Sequence, residues 1–266
     1  MKILLISPAS GKWRSIGRQR IFNGKTFRFS MLSLLTVARL CPDNAQVRLI
    51  DEQIDDIPYD EHFDVVGITC MTAPAPRAFA LCDYFRKRRI PVVLGGFFAS
   101  LNPDLALEHC DAVVIGPALE AWPRLLDDLK SGRLGRKYHG NPAGQVPAKL
   151  PEHVLNRESY STTNATYATM GCRNRCKFCS ISAVYDSQHH HRAVAEVIRE
   201  YYSPRRLLRR ALRWLRSPGG LRNFIYPLML NCAYLGRVRV FGIRGYDPAR
   251  RAPERRSVHR LRTAAL

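Results

Sequence analysis

No stretch of about 18 uninterrupted apolar residues occurs anywhere in this chain, which argues against a membrane-spanning helix. The opening Met1-Lys2-Ile3-Leu4-Leu5-Ile6-Ser7-Pro8 lacks a signal-peptide cleavage pattern and reads as a first strand. Acidic residues are scarce, 22 against 42 basic ones, and the imbalance is local. Residues 199–266 hold 17 Arg, no Lys and 3 acidic residues, so most of the net charge of +20 sits in the tail. The eight cysteines are not spaced as a disulfide scaffold, which points to a reducing compartment, the cytoplasm. With 266 residues, 46% of them hydrophobic, the chain suits one large or two modest domains.

Three cysteines do cluster. Cys172, Cys176 and Cys179 stand at C-x3-C-x2-C spacing, directly after the β-prone run Ala165–Met170. The next cysteine, Cys232, is 53 residues further on, so no nearby fourth thiol completes a four-cysteine site. Such a loop can hold three corners of an iron–sulfur cube and leave the fourth iron open; the same trio also suits a small zinc loop.

Before that loop, apolar strands alternate with helical patterns, the signature of a parallel α/β sheet. Strands are expected at Lys2–Ser7, Gln46–Asp51, Phe63–Thr69, Pro91–Leu94 and Ala112–Ile115. Helices are expected from Ser30 through Leu40, from about Pro76 to Arg89, and from Leu119 to Leu129. The order 2-1-3-4-5 follows for a flavodoxin-like (Rossmann-like) fold, with ligands at the carboxyl ends of the strands near the switch point. The loops placed there are Ser7–Gly11, Thr69–Thr72, Gly95–Ser100 and Gly116–Glu120; Gly95-Gly96 lets backbone approach a bulky flat ligand.

The cysteine loop, with Phe178 just before its third cysteine, resembles the signature loop of the radical S-adenosylmethionine (SAM) enzymes. An α/β unit, a linker and then this loop resemble in particular their cobalamin (B12)-binding subgroup. The resemblance implies a [4Fe–4S] cluster on Cys172, Cys176 and Cys179, S-adenosylmethionine on its open iron near Phe178, and cobalamin on the first domain. It places Thr69, Thr72, Gly95, Gly96, Ser100 and Gly116 among the cofactor-binding residues. It further implies a reductant such as flavodoxin or ferredoxin and a small-molecule or lipid-like substrate, methylated or rearranged by radical chemistry. No Asp-x-His-x-x-Gly follows the first strand, so a histidine-ligated cobalamin is not expected. Phe97-Phe98 stands where relatives often carry a histidine, and Pro117-Ala118 where an acidic residue is common. A methylthio-transferring relative acting on RNA would bring three more grouped cysteines, and Cys41, Cys70, Cys82 and Cys110 are not grouped in sequence.

The resulting division is a cobalamin-binding-like domain over 1–130, a Gly/Pro-rich linker over 131–164, the start of a radical SAM barrel over 165–200, and an Arg-rich helical extension over 201–266. Arg192–Tyr201 has the pattern of a first barrel helix, whereas His189-His190-His191 reads as a solvated loop. Only 87 residues follow Cys179, too few for the remaining strand–helix units of such a barrel, so most of it is expected to be missing. A non-catalytic remnant that binds only cluster or cobalamin is the competing expectation. In the tail, Ser203-Pro204 starts a helix with Leu208, Ala211, Leu212 and Leu215 on one face and arginines elsewhere. That pattern suits packing on a barrel or peripheral contact with an anionic membrane; a protein that binds a membrane surface or nucleic acid through this tail is a further alternative, the nucleic acid being the less expected partner because no recognised binding module accompanies the arginines.

Overall fold

The computed structural model describes residues 1–9, 20–22, 25–26, 31–141, 167, 169–172, 174, 176–185 and 189–191, together with isolated positions such as 155, 160, 208 and 212. Two units divide at His190, and the second, from His191 on, contributes only a few described positions. The expected barrel helix Arg192–Tyr201 and most of the tail lie outside the described residues.

The first unit is built on short strands made almost wholly of apolar residues. Such strands cannot face water on either side, so they pair in parallel beneath two layers of helices. In chain order they are β1 (Lys2–Ser7), a short antiparallel pair β2 (Arg20–Phe22) and β3 (Lys25–Thr26), then β4 (Gln46–Asp51), β5 (Val65–Thr69), β6 (Val92–Gly95), β7 (Ala112–Ile115) and β8 (Lys137–His139). The main sheet runs β4-β1-β5-β6-β7-β8, all parallel. Its first five strands give the order 2-1-3-4-5 read from the sequence. The sixth, β8, arises inside the stretch whose glycines and prolines read as a linker. Leu155 and Tyr160 of that stretch are also buried in the core, and the Tyr160 hydroxyl donates to Asp51 Oδ2 at 3.4 Å.

Helices α1 (Leu32–Arg39) and α5 (Ala118–Lys130) cover one face of the sheet. On the other lie α2 (Ala75–Lys87), α3 (Phe97–Leu101) and α4 (Pro103–His109). Alternation along the strands feeds the two layers: Ile3, Leu5, Val65 and Val93 point to α1 and α5, while Leu4, Ile6, Val66 and Leu94 point to α2. Pro76 stands in the first turn of α2 and Arg86 and Lys87 in its last, where they suit the helix ends. Helix α1 starts after Met31 with no side-chain cap, and Ser30, the expected cap, lies outside the described residues.

Beyond this sheet, β9 (Thr169–Gly171) leads into the cysteines, α6 (Ser180–Tyr185) leaves them, and β10 (His189–His191) pairs with β9. The three histidines are therefore strand, where a solvated loop was expected. No described helix is long and apolar enough to cross a membrane.

Candidate functional site at the strand ends

In a parallel sheet the chain leaves each strand at its carboxyl end, so these loops converge on one edge. There the turn from β6 into α3 is unusually tight. Gly96 has φ +93°, and a Cβ on it would lie 2.8 Å from the Cys70 carbonyl oxygen and 3.0 Å from the Cys70 nitrogen. The Cys70 N–H donates to the Gly95 carbonyl at 2.7 Å, and the Phe98 N–H to the Cys70 carbonyl at 3.0 Å. Ser100 completes the turn: its Oγ donates to the Gly96 carbonyl at 2.8 Å and accepts the Gly116 N–H at 2.9 Å. One hydroxyl thus ties the end of β7 to the β6–α3 turn.

Behind this edge a cavity of about 240 Å³ runs between the sheet and helices α1 and α5. Leu5, Gly67 and Val93 lie side by side on three adjacent strands, in register, and form its floor. Trp122 packs directly on Gly67: a Cβ there would stand 3.0 Å from the indole Cη2 and 3.0 Å from Leu5 Cδ2. The cavity mouth is lined by Thr69, Met71, Gly95, Gly96, Phe97, Ser100 and Gly116 from the strand ends. Tyr167, Met170, Val184 and Tyr185, from the residues flanking the cysteine loop, line it as well. Helix α6 packs on α3, so the segment that follows Cys179 sits against the glycine turn.

Of the residues expected to bind a cofactor, Thr69, Gly95, Gly96, Ser100 and Gly116 line this cavity. Thr72 does not; it is exposed, and its carbonyl accepts the Ala75 N–H at the start of α2. Phe178 is 94% exposed and also stands outside the lining. Sequence reading missed Gly67, Trp122, Tyr167 and Tyr185, while Met71 falls inside the expected loop Thr69–Thr72. Gly67 is the one with a visible signal, a glycine inside the apolar strand Val65–Thr69, which marks close approach of another group.

The loop cysteines differ from the others in their chemistry. Backbone N–H groups of Ser182 and Ile181 point at the Cys179 sulfur and hold its thiol below the ordinary range. Burial pushes Cys70 up to about 11 and Cys110 to about 12, and raises Cys82 further still. Thiolate is the ligand and nucleophile form, so Cys179 is more reactive than the buried thiols of the α/β domain. Among the described residues, no group of three His, Cys, Asp or Glu side chains is placed to hold a metal ion. The reactivity contrast has a direct consequence. Treating the native protein with iodoacetamide at about pH 8 should label Cys179 on the order of a thousandfold faster than Cys70 or Cys110. Peptide mapping over time checks this, and equal rates would refute it.

A glycine turn at the end of β6, helices on both faces and a slot behind the strand ends define a flavodoxin-like α/β domain open to a ligand at its strand ends. Residues 30–126 match the family model described as the B12 binding domain. The chain is 36% identical over 157 residues to bacteriochlorophyllide d C-8(2)-methyltransferase of Chlorobaculum tepidum, covering 56% of this chain and 35% of that one. It is 29% identical over 177 residues to bacteriochlorophyllide d C-12(1)-methyltransferase of the same organism, covering 64% and 39%. Hopanoid C-2 methylase of Rhodopseudomonas palustris is 26% identical over 168 residues, covering 57% and 30%. Residues 30–126 are therefore of the B12-binding domain family, and the chain is similar to part of three methyl-transferring enzymes. It spans between 30% and 39% of the length of these three relatives.

Proposed function

We propose that this chain is the corrinoid-holding part of a radical SAM methyltransferase whose substrate is an apolar small molecule. The observation that carries the reading is the shared cavity edge: residues on both sides of the cysteine loop, Tyr167, Met170, Val184 and Tyr185, line the same slot as the glycine turn of the α/β domain. A cofactor lodged at the strand ends would thus face the cysteine segment directly. The residues present fit a corrinoid. Gly96 has no side chain to obstruct a large flat ring, Ser100 fixes the turn that would face it, and the slot behind accepts an appended group.

Cobalamin would be held by Thr69, Gly95, Gly96, Ser100 and Gly116, and a [4Fe–4S] cluster by Cys172, Cys176 and Cys179 with SAM on its open iron. The corrinoid supplies a transferable methyl group, and the cluster with SAM supplies the means of removing a substrate hydrogen. The chain's own contribution is to bind, to orient and to keep water out: Tyr167 bonds to Thr36 beside the slot, and burial raises the hydroxyls of Tyr167 and Tyr185 above the ordinary phenol range. A one-electron donor of the flavodoxin or ferredoxin kind is the expected reductant. The named relatives act on a bacteriochlorophyllide and on a hopanoid, which supports a ring-shaped apolar substrate here.

The test is direct. Protein mixed with hydroxocobalamin and passed through a desalting column should retain about one corrinoid per chain, as expected for a preformed pocket, and show the spectrum of cobalamin with its base displaced from cobalt. Cys172→Ala should leave that retention unchanged while abolishing the brown colour formed on anaerobic reconstitution with iron and sulfide. Failure to retain corrinoid would end the proposal.

A further inference from the structure

This inference rests on the corrinoid reading above and concerns the segment that follows the cysteines. Helix α6 has no buried residue, although four of its six side chains are Ile181, Ala183, Val184 and Tyr185. A helix so short does not hold itself in water and depends on what it packs against. It lies on α3, and its Val184 and Tyr185 line the slot. It is also bonded to the cysteine loop. The Ala183 N–H donates to the Cys179 carbonyl at 3.2 Å, and Ser182 Oγ donates to the Asn174 carbonyl at 2.7 Å. Whatever steadies α6 therefore steadies Cys179 and the loop before it.

Two phenols stand in the slot wall, and they differ. Tyr167 bonds to the Thr36 side chain, so its hydroxyl is satisfied within the protein. Tyr185 is half-buried, and its hydroxyl has no hydrogen-bond partner among the described residues. Two other hydroxyls of the lining are already engaged: Ser100 on Gly96 and Gly116, Thr36 on the Leu32 carbonyl and Tyr167. A phenol left unpaired while a ligand closes over it costs about 1–3 kcal/mol, so the ligand itself has to answer it. The hydrocarbon of an apolar substrate brings no acceptor, whereas a corrinoid ring is fringed with amide side chains whose carbonyls accept. We infer that the Tyr185 hydroxyl donates to a carbonyl of the corrinoid's amide fringe and so fastens the segment after the cysteines onto the bound ring. Through α6 that bond also steadies the cysteine loop.

The experiment compares the wild-type chain with Tyr185→Phe and Tyr167→Phe. In equilibrium dialysis against hydroxocobalamin, Tyr185→Phe should bind about three- to tenfold more weakly than wild type, the worth of one neutral hydrogen bond. Without corrinoid the two should melt within about 1 °C of each other, since the hydroxyl has no protein partner to lose. Tyr167→Phe is the contrast: it loses the bond to Thr36, and its corrinoid-free form should melt about 2–4 °C lower. Deuterium exchange gives the second readout. Hydroxocobalamin should slow exchange over Ser180–Tyr185 in wild type, and at least about threefold less in Tyr185→Phe. Equal corrinoid affinity in wild type and Tyr185→Phe overturns the contact, and so does a corrinoid-free midpoint for Tyr185→Phe as low as that of Tyr167→Phe. Equal protection of α6 in the two overturns the fastening. In each of these cases the corrinoid reading survives, whereas no binding of hydroxocobalamin by wild type removes both proposals together.

Discussion

Gly96→Ala should lower the stability of the protein by about 4 kcal/mol. Two costs combine. Backbone at φ +93° and ψ −177° lies in a region open essentially to glycine alone, worth about 1–3 kcal/mol. The new methyl would also stand 2.8 Å from the Cys70 carbonyl oxygen, an overpacking cost of about 1–3 kcal/mol against backbone that cannot swing aside. Thermal unfolding should show the midpoint falling by roughly 8–16 °C for a domain of this size. On the proposed function the variant should also retain less corrinoid, because the turn that faces the cavity would shift. Gly95→Ala is the control: its Cβ would meet nothing nearer than Val114 at 3.8 Å, and a small change is expected. A Gly96→Ala midpoint within about 3 °C of wild type would refute the steric account.

The second large effect is expected at Arg77. Glu52 is 1% exposed at the end of β4, and its carboxylate is held from two sides. Oε2 accepts the Ala9 N–H at 2.9 Å, which fixes the chain as it leaves β1, and Oε1 accepts Arg77 Nε at 2.8 Å and a second bond from Arg77 Nη2. The guanidinium also reaches the Tyr59 hydroxyl at 2.6 Å. Arg77→Met would strand a carboxylate out of water with a single backbone donor. Breaking a buried pair in this way costs about 3–5 kcal/mol. The lower end applies here, because the Arg77 side chain is 34% exposed and part of its charge is screened already. A midpoint drop of about 6–12 °C is expected. Arg77→Lys should recover only part of it, since an ammonium keeps the charge and loses the fork. If Arg77→Met melts with wild type, Glu52 has another source of stabilisation and the pair is not what anchors the β1 loop.

Much of this architecture was legible in the residues. Runs such as Ile3–Ile6, Val65-Val66 and Val92–Leu94 admit no half-exposed solution, so a parallel sheet covered on both faces is forced, and its order follows from short right-handed connections. Gly95-Gly96 after a strand and Ser100 just beyond were visible as a turn at the strand ends. The sixth strand was not, because Lys137–His139 alternates exposed and buried and carries no apolar run; it is a strand only because β7 offers it a free edge. Nor was Trp122. In the sequence it is one more apolar residue on a helix, and it becomes a cavity wall only when α5 lies over Gly67.

The residues by themselves determined the α/β class, the tight turn at the end of β6 and the spacing of the three cysteines, since each depends on local pattern: period, turn chemistry and spacing. The tertiary structure alone decided that a slot opens behind the glycine turn and that the flanks of the cysteine loop share its mouth. Those facts depend on which side chains meet across strands and helices far apart in the chain, and no local pattern encodes such meetings.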